Sequence, residues 1–215
     1  MIVTIDGPSG VGKGTVARML AQKLGFHLLD SGALYRLTAL AAERENLDFS
    51  NDDELARVAR NLDVVFEARG DSIHYILAGD DVSNAIRTET VGMNASRVGA
   101  SEKVRAALLD LQRGFAQAPG LVADGRDMGT TVFPLAKVKV FLGATAEERT
   151  RRRIKQLRNA GLDPDPEQIL KDIHLRDKQD RERPVSPLRP ADDAVEIDTT
   201  HMSVDEVYDA VLALL

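Results

Sequence analysis

The chain has 215 residues, 43% hydrophobic and 29% charged, an ordinary globular composition long enough for one sizeable core or a core with small insertions. It contains no Cys, which excludes disulfides and thiolate metal sites and fits a reducing compartment. A net charge of −6 with 4% aromatic residues argues against nucleic-acid binding, which needs a basic excess and stacking platforms.

Ile2 to Ile5 is an apolar run that predicts a first strand, and Val16, Met19, Leu20 and Leu24 recur at helical spacing after it. Between the two lies Gly7-Pro8-Ser9-Gly10-Val11-Gly12-Lys13-Gly14-Thr15. Glycines let the backbone curl so that successive N–H groups point at phosphate oxygens. The following helix adds its positive dipole end, and Lys13 reaches the β- and γ-phosphates. A glycine-rich turn with no ligand is the bland alternative; the strand–turn–helix context and the placement of the lysine weigh against it. A general P-loop has Ser or Thr after the lysine to hold Mg²⁺, whereas this chain has Gly14, with Thr15 one place later. ATP with Mg²⁺ is expected, and the protein ligands of the metal stay open. The Asn-Lys-x-Asp motif that reads guanine is absent, which argues against a GTPase.

Phe26 to Leu29 predicts a second strand, and Leu34, Leu37 and Ala41 define one face of the next helix. The segment Leu29-Asp30-Ser31-Gly32-Ala33-Leu34-Tyr35-Arg36 should face the P-loop, because ligands of open parallel sheets sit beyond the carboxyl ends of the strands. Another helix is expected to start near Ser50, with Asp53 placed to complete a capping box. The pattern then changes. Val64-Val65-Phe66 and Ile73 to Leu77 are strand-like runs separated by Arg69-Gly70-Asp71, and Gly79-Asp80-Asp81 marks a further turn. Hairpin-joined strands inside an alternating chain predict a small inserted subdomain. Val104, Leu108, Leu111 and Phe115 predict a helix that ends before Pro119-Gly120.

Strands return at Leu121 to Asp124, Val138 to Leu142 and Ala194 to Ile197. Asp124-Gly125-Arg126-Asp127-Met128-Gly129-Thr130 follows the first of these and projects to the edge that bears the P-loop; a turn stapled by an internal Arg–Asp pair is its structural alternative. Thr145-x-x-Glu148 caps a basic helix, in which residues 149–158 hold Arg149, Arg151, Arg152, Arg153, Lys155 and Arg158 and no acid. Its apolar stripe is only Ile154 and Leu157. Dense arginine on a thinly anchored helix is what a mobile phosphate-covering lid needs, and a static surface helix is the alternative. Pro166 opens a further helix at the favoured first position. Arg176, Asp180 and Arg183 share one face of it, and taken alone they read as a solvated face laced with ion pairs. Ser203-x-x-Glu206 caps the last helix, with Val207, Val211 and Leu214 as its buried side. Five short strands separated by helices predict an α/β fold, a five-stranded parallel sheet with helices on both faces. No apolar run approaches the roughly 20 residues that span a bilayer. Met1 leads straight into the first strand without a signal-peptide pattern, so we expect a cytoplasmic protein, away from membranes.

The ordered set GPSGVGKGT (7–15), LDSGALYR (29–36), the segments around Arg87 and Arg105, ADGRDMGT (123–130), RDKQDRERPVSPL (176–188) and IDTT (197–200) resembles bacterial cytidylate kinases over nearly the whole chain. The resemblance implies a single P-loop kinase domain over residues 1–215, with a monophosphate-binding insert at about 63–97 and an Arg-rich lid at about 145–165. It implies transfer of the γ-phosphoryl group of ATP to CMP or dCMP. By match to the family, Lys13 and the P-loop backbone would hold ATP, with lid arginines Arg151, Arg153 and Arg158 beside them. Arg36, Arg126 and Arg183 would hold the acceptor phosphate, with Ser31 and Tyr35 nearby. Asp180 and Arg176 would meet the ribose, and Ser96, Arg105 and Asp127 would read the base. Lys13, Arg126 and Arg183 are the expected catalytic group, and a monomer acting on small nucleotides is expected. The rivals are a P-loop kinase for another monophosphate or small metabolite, and a non-catalytic nucleotide sensor or RNA-binding module.

Overall fold

The computed structural model describes residues 1–69 and 72–215. In chain order the elements are β1 (Ile2–Asp6), α1 (Lys13–Leu24), β2 (His27–Asp30), α2 (Ser31–Arg44), α3 (Asp52–Arg60), β3 (Val64–Arg69), β4 (Ser72–Leu77) and β5 (Asp80–Asp81). A 3₁₀ turn (Ala85–Arg87) precedes α4 (Glu89–Val98), α5 (Glu102–Gly114) and β6 (Leu121–Gly125). A single π turn (Met128–Val132), β7 (Val138–Gly143), α6 (Ala146–Asn159), α7 (Pro166–Glu182), β8 (Val195–Asp198) and α8 (Val204–Leu212) complete the chain. These elements form two compact units, Met1–Asp30 with Arg113–Leu215, and Ser31–Gln112.

The larger unit carries a five-stranded, wholly parallel sheet in the order β2-β6-β1-β7-β8. Strands of such a sheet are buried on both faces and read as continuous apolar runs. Accordingly β6 is buried at every position, and Val3, Ile5, Val122, Val140 and Leu142 form the core with Leu20 of α1 and Val211 of α8. Register places Ile5 and Asp30 opposite Asp124, and Asp6 opposite Gly125, so three strands bring aspartates at or next to their carboxyl ends to one edge. The strands at His27 and Val195 each begin one residue later than the sequence pattern predicts. Helix α6 is capped by Thr145, which accepts from the Glu148 N–H, and α8 by a full Ser203–Glu206 box. Leu214 lies past the end of α8 and is 37% exposed, so Val207 and Val211 alone form the buried side expected of three residues. The face of α7 departs further from expectation. Arg176, Asp177 and Asp180 are each only 9% exposed, which overturns the solvated-face reading of that segment.

The smaller unit pairs α2 with α4 and holds a three-stranded antiparallel sheet, β3-β4-β5. Its core gathers Leu37, Tyr75, Leu77, Val82, Ile86 and Val91, with Phe66 meeting Tyr75 edge-to-face at 5.2 Å between centroids. Of the expected Arg69-Gly70-Asp71 break, Gly70 and Asp71 lie outside the described residues. The second expected turn is displaced. Ala78 and Gly79 make it with φ of 50° and 87°, and Asp80–Asp81 form a short third strand instead. The N-cap of α3 is Asn51, which accepts from Glu54 N–H, rather than Ser50; Asp53 pairs with Lys103 at 2.6 Å. On α5, Leu111 is 37% exposed while Gln112 is buried, because Gln112 accepts a hydrogen bond of 2.7 Å from Ser31 Oγ.

Candidate functional site

The chain leaves β1 at Asp6, curls through residues 7–12 and enters α1 at Lys13. Lys13 is buried, and its Nζ donates to Pro8 O at 2.8 Å. Burial and the nearby Arg126 guanidinium pull Lys13 down to about 8, against the carboxylates of Asp124, Asp6 and Asp180. Buried Lys13 and half-buried Arg126 thus share one edge of the sheet. Burial pushes Asp124 up to about 7; Lys13 and Arg126 oppose the rise, and Asp30 and Asp6 add to it. Asp6 is pushed up to about 6, again by burial, although its oxygens accept from the backbone N–H groups of Met128 and Gly129 at 2.8 Å each. Those two bonds fix the start of the π turn, and with it the loop that carries Arg126 and Asp127.

Arg126 donates from Nε to Asp180 Oδ2 at 2.8 Å, joining the end of β6 to α7. Burial opposes its charge, but Asp180, Asp124 and Asp30 outweigh that and raise its pKa. Arg183, the C-cap of α7, donates from Nε to Ser186 O at 2.6 Å, and its guanidinium lies 3.9 Å from Asp127 and 4.0 Å from Asp180. Arg176 is buried one turn before Asp180 on the same face. Lys13, Arg126, Asp127, Arg176, Asp180 and Arg183 therefore belong to one continuous region at the carboxyl edge of the sheet, as the motif order predicts.

Helix α6 divides into two halves. Arg149 is 3% exposed and donates to Asp177, Ser9 O and Ala144 O. Arg152 reaches Val11 O at 3.1 Å and Thr199 O at 2.6 Å. Arg151 has a side chain 68% exposed and folds back on Glu148 with two bonds of 2.7 Å. Arg153 turns to Gln156, and Arg158 is exposed in the last turn. A cavity of about 460 Å³ lies beside the P-loop, walled by Val11, Val16, Met202, Val204 and Val207 on one side and by Arg151, Arg152 and Lys155 on the other.

The expected residues of the smaller unit form a second set. The Arg105 guanidinium lies over the Tyr35 ring at 5.3 Å and donates to Gly99 O at 3.1 Å. Arg36 donates to Ile86 O at 2.7 Å, and Ser96 Oγ to Gly92 O one turn back at 3.3 Å. Ser31 Oγ is engaged with Gln112.

Sequence reasoning passed over Asp6, Asp124 as a separate charge, and the Arg149–Asp177 pair. The position of both aspartates at strand ends was a usable signal. The pair had none, since it joins two helices 28 positions apart in sequence.

A family model described as "Cytidylate kinase" matches residues 3–215. The chain is 56% identical over 211 residues to a "Cytidylate kinase" of Vibrio vulnificus strain CMCP6, covering 98% of this chain and 93% of that one. It is 55% identical over 215 residues to "Cytidylate kinase 1" of Haemophilus influenzae, covering 100% and 93%. Among solved structures, an uncharacterized protein from Eubacterium ventriosum superposes with a TM-score of 0.53 at 14% identity, covering 99% of this chain and 96% of that one, a likeness of fold alone. A P-loop at the edge of a parallel sheet, buried arginines beside it and a family match from residue 3 to the end agree: the chain belongs to the cytidylate kinase family.

Proposed function

We propose that the chain transfers the γ-phosphoryl group of ATP to CMP or dCMP, giving ADP and CDP or dCDP. Beyond family membership, the observation that carries this reading is the placement of buried Lys13 in the P-loop at the sheet edge where Asp180 anchors the half-buried Arg126, close enough for the two cations to repel each other. Such a pair is poised for a polyanion, whose charge relieves the repulsion. The acceptor is a phosphate oxygen already anionic at neutral pH, so no strong general base is required. Catalysis then rests on aligning two phosphates that repel each other and on stabilising charge on the equatorial oxygens, for which Lys13, Arg126 and Arg183 are proposed.

ATP is proposed to lie with its phosphates in the P-loop, against Gly7, Pro8, Ser9, Gly10, Val11, Gly12, Lys13, Gly14 and Thr15, and its base in the cavity walled by Val11, Val16 and Met202. Residues 145–165 are proposed as the lid, and the anchored Arg149 and Arg152 confine its mobile part to the turns that bear Arg153 and Arg158. Closure would exclude water and protect ATP from hydrolysis. In the larger unit we assign Arg126 and Arg183 to the acceptor phosphate, Asp180 and Arg176 to the ribose, and Asp127 to the base. In the smaller unit we assign Arg36 to the phosphate, Arg105 and Ser96 to the base, and Ser31 and Tyr35 to shaping the acceptor site, with residues 63–97 as its monophosphate-binding insert. Stacking on Tyr35 and the bond to Gly99 O orient Arg105 for a planar partner.

The residues present also fit Mg²⁺. Among the described residues no group of three or more ligating side chains forms a ready cage. A phosphate-bound Mg²⁺ needs only one or two carboxylates, because it keeps several waters. A Cβ at position 14 would sit 3.2 Å from Asp124 Oδ2, so the carboxylate stands where the usual Ser or Thr would project, and Gly14 makes room for it. Asp124 is thus our candidate to hold Mg²⁺, which would supply positive charge against the polyphosphate. We further propose that the protein works as a cytoplasmic monomer without nucleic acid. Among the described residues no helix is long and apolar enough to cross a membrane.

Turnover with ATP and each monophosphate tests the reading. Cytosine offers an amino donor at N4 beside acceptors at N3 and O2, whereas uracil offers an acceptor at O4 and a donor at N3. A carboxylate facing N4 and a guanidinium facing N3 and O2 therefore favour cytosine twice over, each pair by roughly 1–3 kcal/mol. CMP and dCMP should be strongly preferred to UMP, and Asp127→Asn should narrow that gap. Equal efficiency of the unmodified protein with UMP or AMP would overturn the proposal.

A further inference from the structure

Arg149 sits within the Arg-rich segment, yet its surroundings give it another task. Four of its five N–H donors are engaged by protein: Nε by Ala144 O at 3.1 Å, both on Nη1 by Ser9 O at 3.1 Å and Asp177 Oδ1 at 2.9 Å, and one on Nη2 by Asp177 Oδ2 at 2.5 Å. The side chains of both partners are largely buried, 3% and 12% exposed. The bond to Ser9 O bears on phosphate binding. The Ser9–Gly10 peptide is trans and planar, so its C=O and N–H point in opposite directions. Anchoring the carbonyl on Arg149 therefore turns the Gly10 N–H away from Arg149. Gly10 has a φ of 84°, which favours glycine, and a Cβ there would approach Arg149 Cβ to a tight 3.3 Å, so the loop and Arg149 are closely packed at this position.

We infer that Arg149 is a positioning residue, which sets the Ser9–Gly10 peptide plane so that the Gly10 N–H faces the phosphates of ATP, and that Asp177 holds Arg149 in that orientation. The pair ties the P-loop to α7, the helix that carries Arg176 and Asp180. This rests on the proposed use of the P-loop for ATP, but it makes a separate claim, that a residue touching no ligand governs ATP affinity and leaves the acceptor alone.

The test compares the unmodified protein, Arg149→Lys and the double variant Arg149→Met with Asp177→Leu. Measured quantities are Tm, calorimetric affinity for Mg²⁺-ATP, and separate KM values for ATP and CMP. Apolar replacement of a buried ion pair is often neutral or stabilising, so the double variant separates folding from positioning. It should keep or raise Tm, weaken ATP binding roughly 10-fold or more, lower kcat, and leave the KM for CMP unchanged. Arg149→Lys keeps the cation but loses the planar fork, and should fall between the two. A folded double variant with the ATP affinity of the unmodified protein would overturn the inference, and so would equal losses for ATP and CMP, which indicate general loosening. If the unmodified protein binds ATP but does not phosphorylate CMP, the proposed function fails and the ATP affinities still decide the role of Arg149.

Discussion

Two groups of charges in the larger unit follow opposite rules. At the carboxyl ends of β1 and β6, Asp6, Lys13, Asp124 and Asp180 are buried together beside the half-buried Arg126, and several are displaced from their ordinary pKa values. Along the outer half of α6, Arg153 extends to Gln156 and Arg158 is exposed, while Arg151, on the solvent side of the anchored turn, pairs with Glu148. The buried group carries an electrostatic cost that is justified only if something anionic or cationic completes it. The outer group carries almost none, since exposed pairs contribute about 0–1 kcal/mol. Buried charge is therefore where substitution should damage chemistry, and exposed charge is where it should alter motion.

The largest effect is expected at Lys13. Lys13→Met removes a cation that would face transferring charge, and should lower kcat on the order of 100-fold or more while the fold persists. Near-normal turnover by a folded variant would show that the buried cluster is structural and would erase the contrast drawn above.

An intermediate effect is expected from Asp124, and its sign follows from its raised pKa. The folded protein retains a proton on this carboxyl, at about 7, that the unfolded chain releases at the ordinary value near 4. The contribution of Asp124 to stability is therefore fully present below pH 4 and is lost as pH rises toward 7. Asp6, at about 6, acts in the same direction. Asp124→Asn mimics the neutral form, so its Tm should decline less between pH 5 and pH 8 than that of the unmodified protein. A difference of roughly 2–4 °C corresponds to about 1 kcal/mol in a chain of this size. The same variant should lose Mg²⁺-dependent turnover, a trade between stability and function at one side chain. Identical pH profiles of Tm would place Asp124 outside the low-dielectric cluster.

The smallest effect concerns the outer half of α6. Hydrogen exchange of its amides should slow several-fold when a mimic of both substrates binds, whereas amides in the turn that bears Arg149 and Arg152 should change little. Uniform protection along the helix would remove the distinction between its halves. No protection anywhere would make it a static surface helix.

Much of this was legible in the sequence, for reasons that differ by region. Motifs at the ends of strands declare themselves because a parallel sheet gathers those ends at one edge, so reading 7–15 and 123–130 as neighbours required only the topology. Local capping chemistry at Thr145 and Ser203 was equally plain. Periodicity failed where a polar side chain found a distant partner. Gln112 displaced Leu111 from the buried face because Ser31 lies within hydrogen-bonding reach. Asn51 replaced Ser50 as a cap because Ser50 is engaged with Asp48 at 2.7 Å. In α6, arginine density concealed a division that only the carbonyls of Ser9, Val11 and Thr199 reveal. Composition counts charges; it does not say which of them the fold has already used.

The strand order also has a consequence for synthesis of the chain. Every neighbour pair of the parallel sheet includes β6, β7 or β8, and β1 pairs first at Leu121. A growing chain thus carries β1 and β2 without hydrogen-bonding neighbours until more than half its length has been made. The Ser31–Gln112 unit, by contrast, is contiguous and holds a local hairpin, so all of its residues are available before the first parallel pair can close. Because loop closure over long separations is slow, the apolar β1 strand waits without its partner through most of translation. The phosphate loop can therefore take its final shape only after β6 has docked beside β1, which makes ATP binding a late event in the life of the nascent protein.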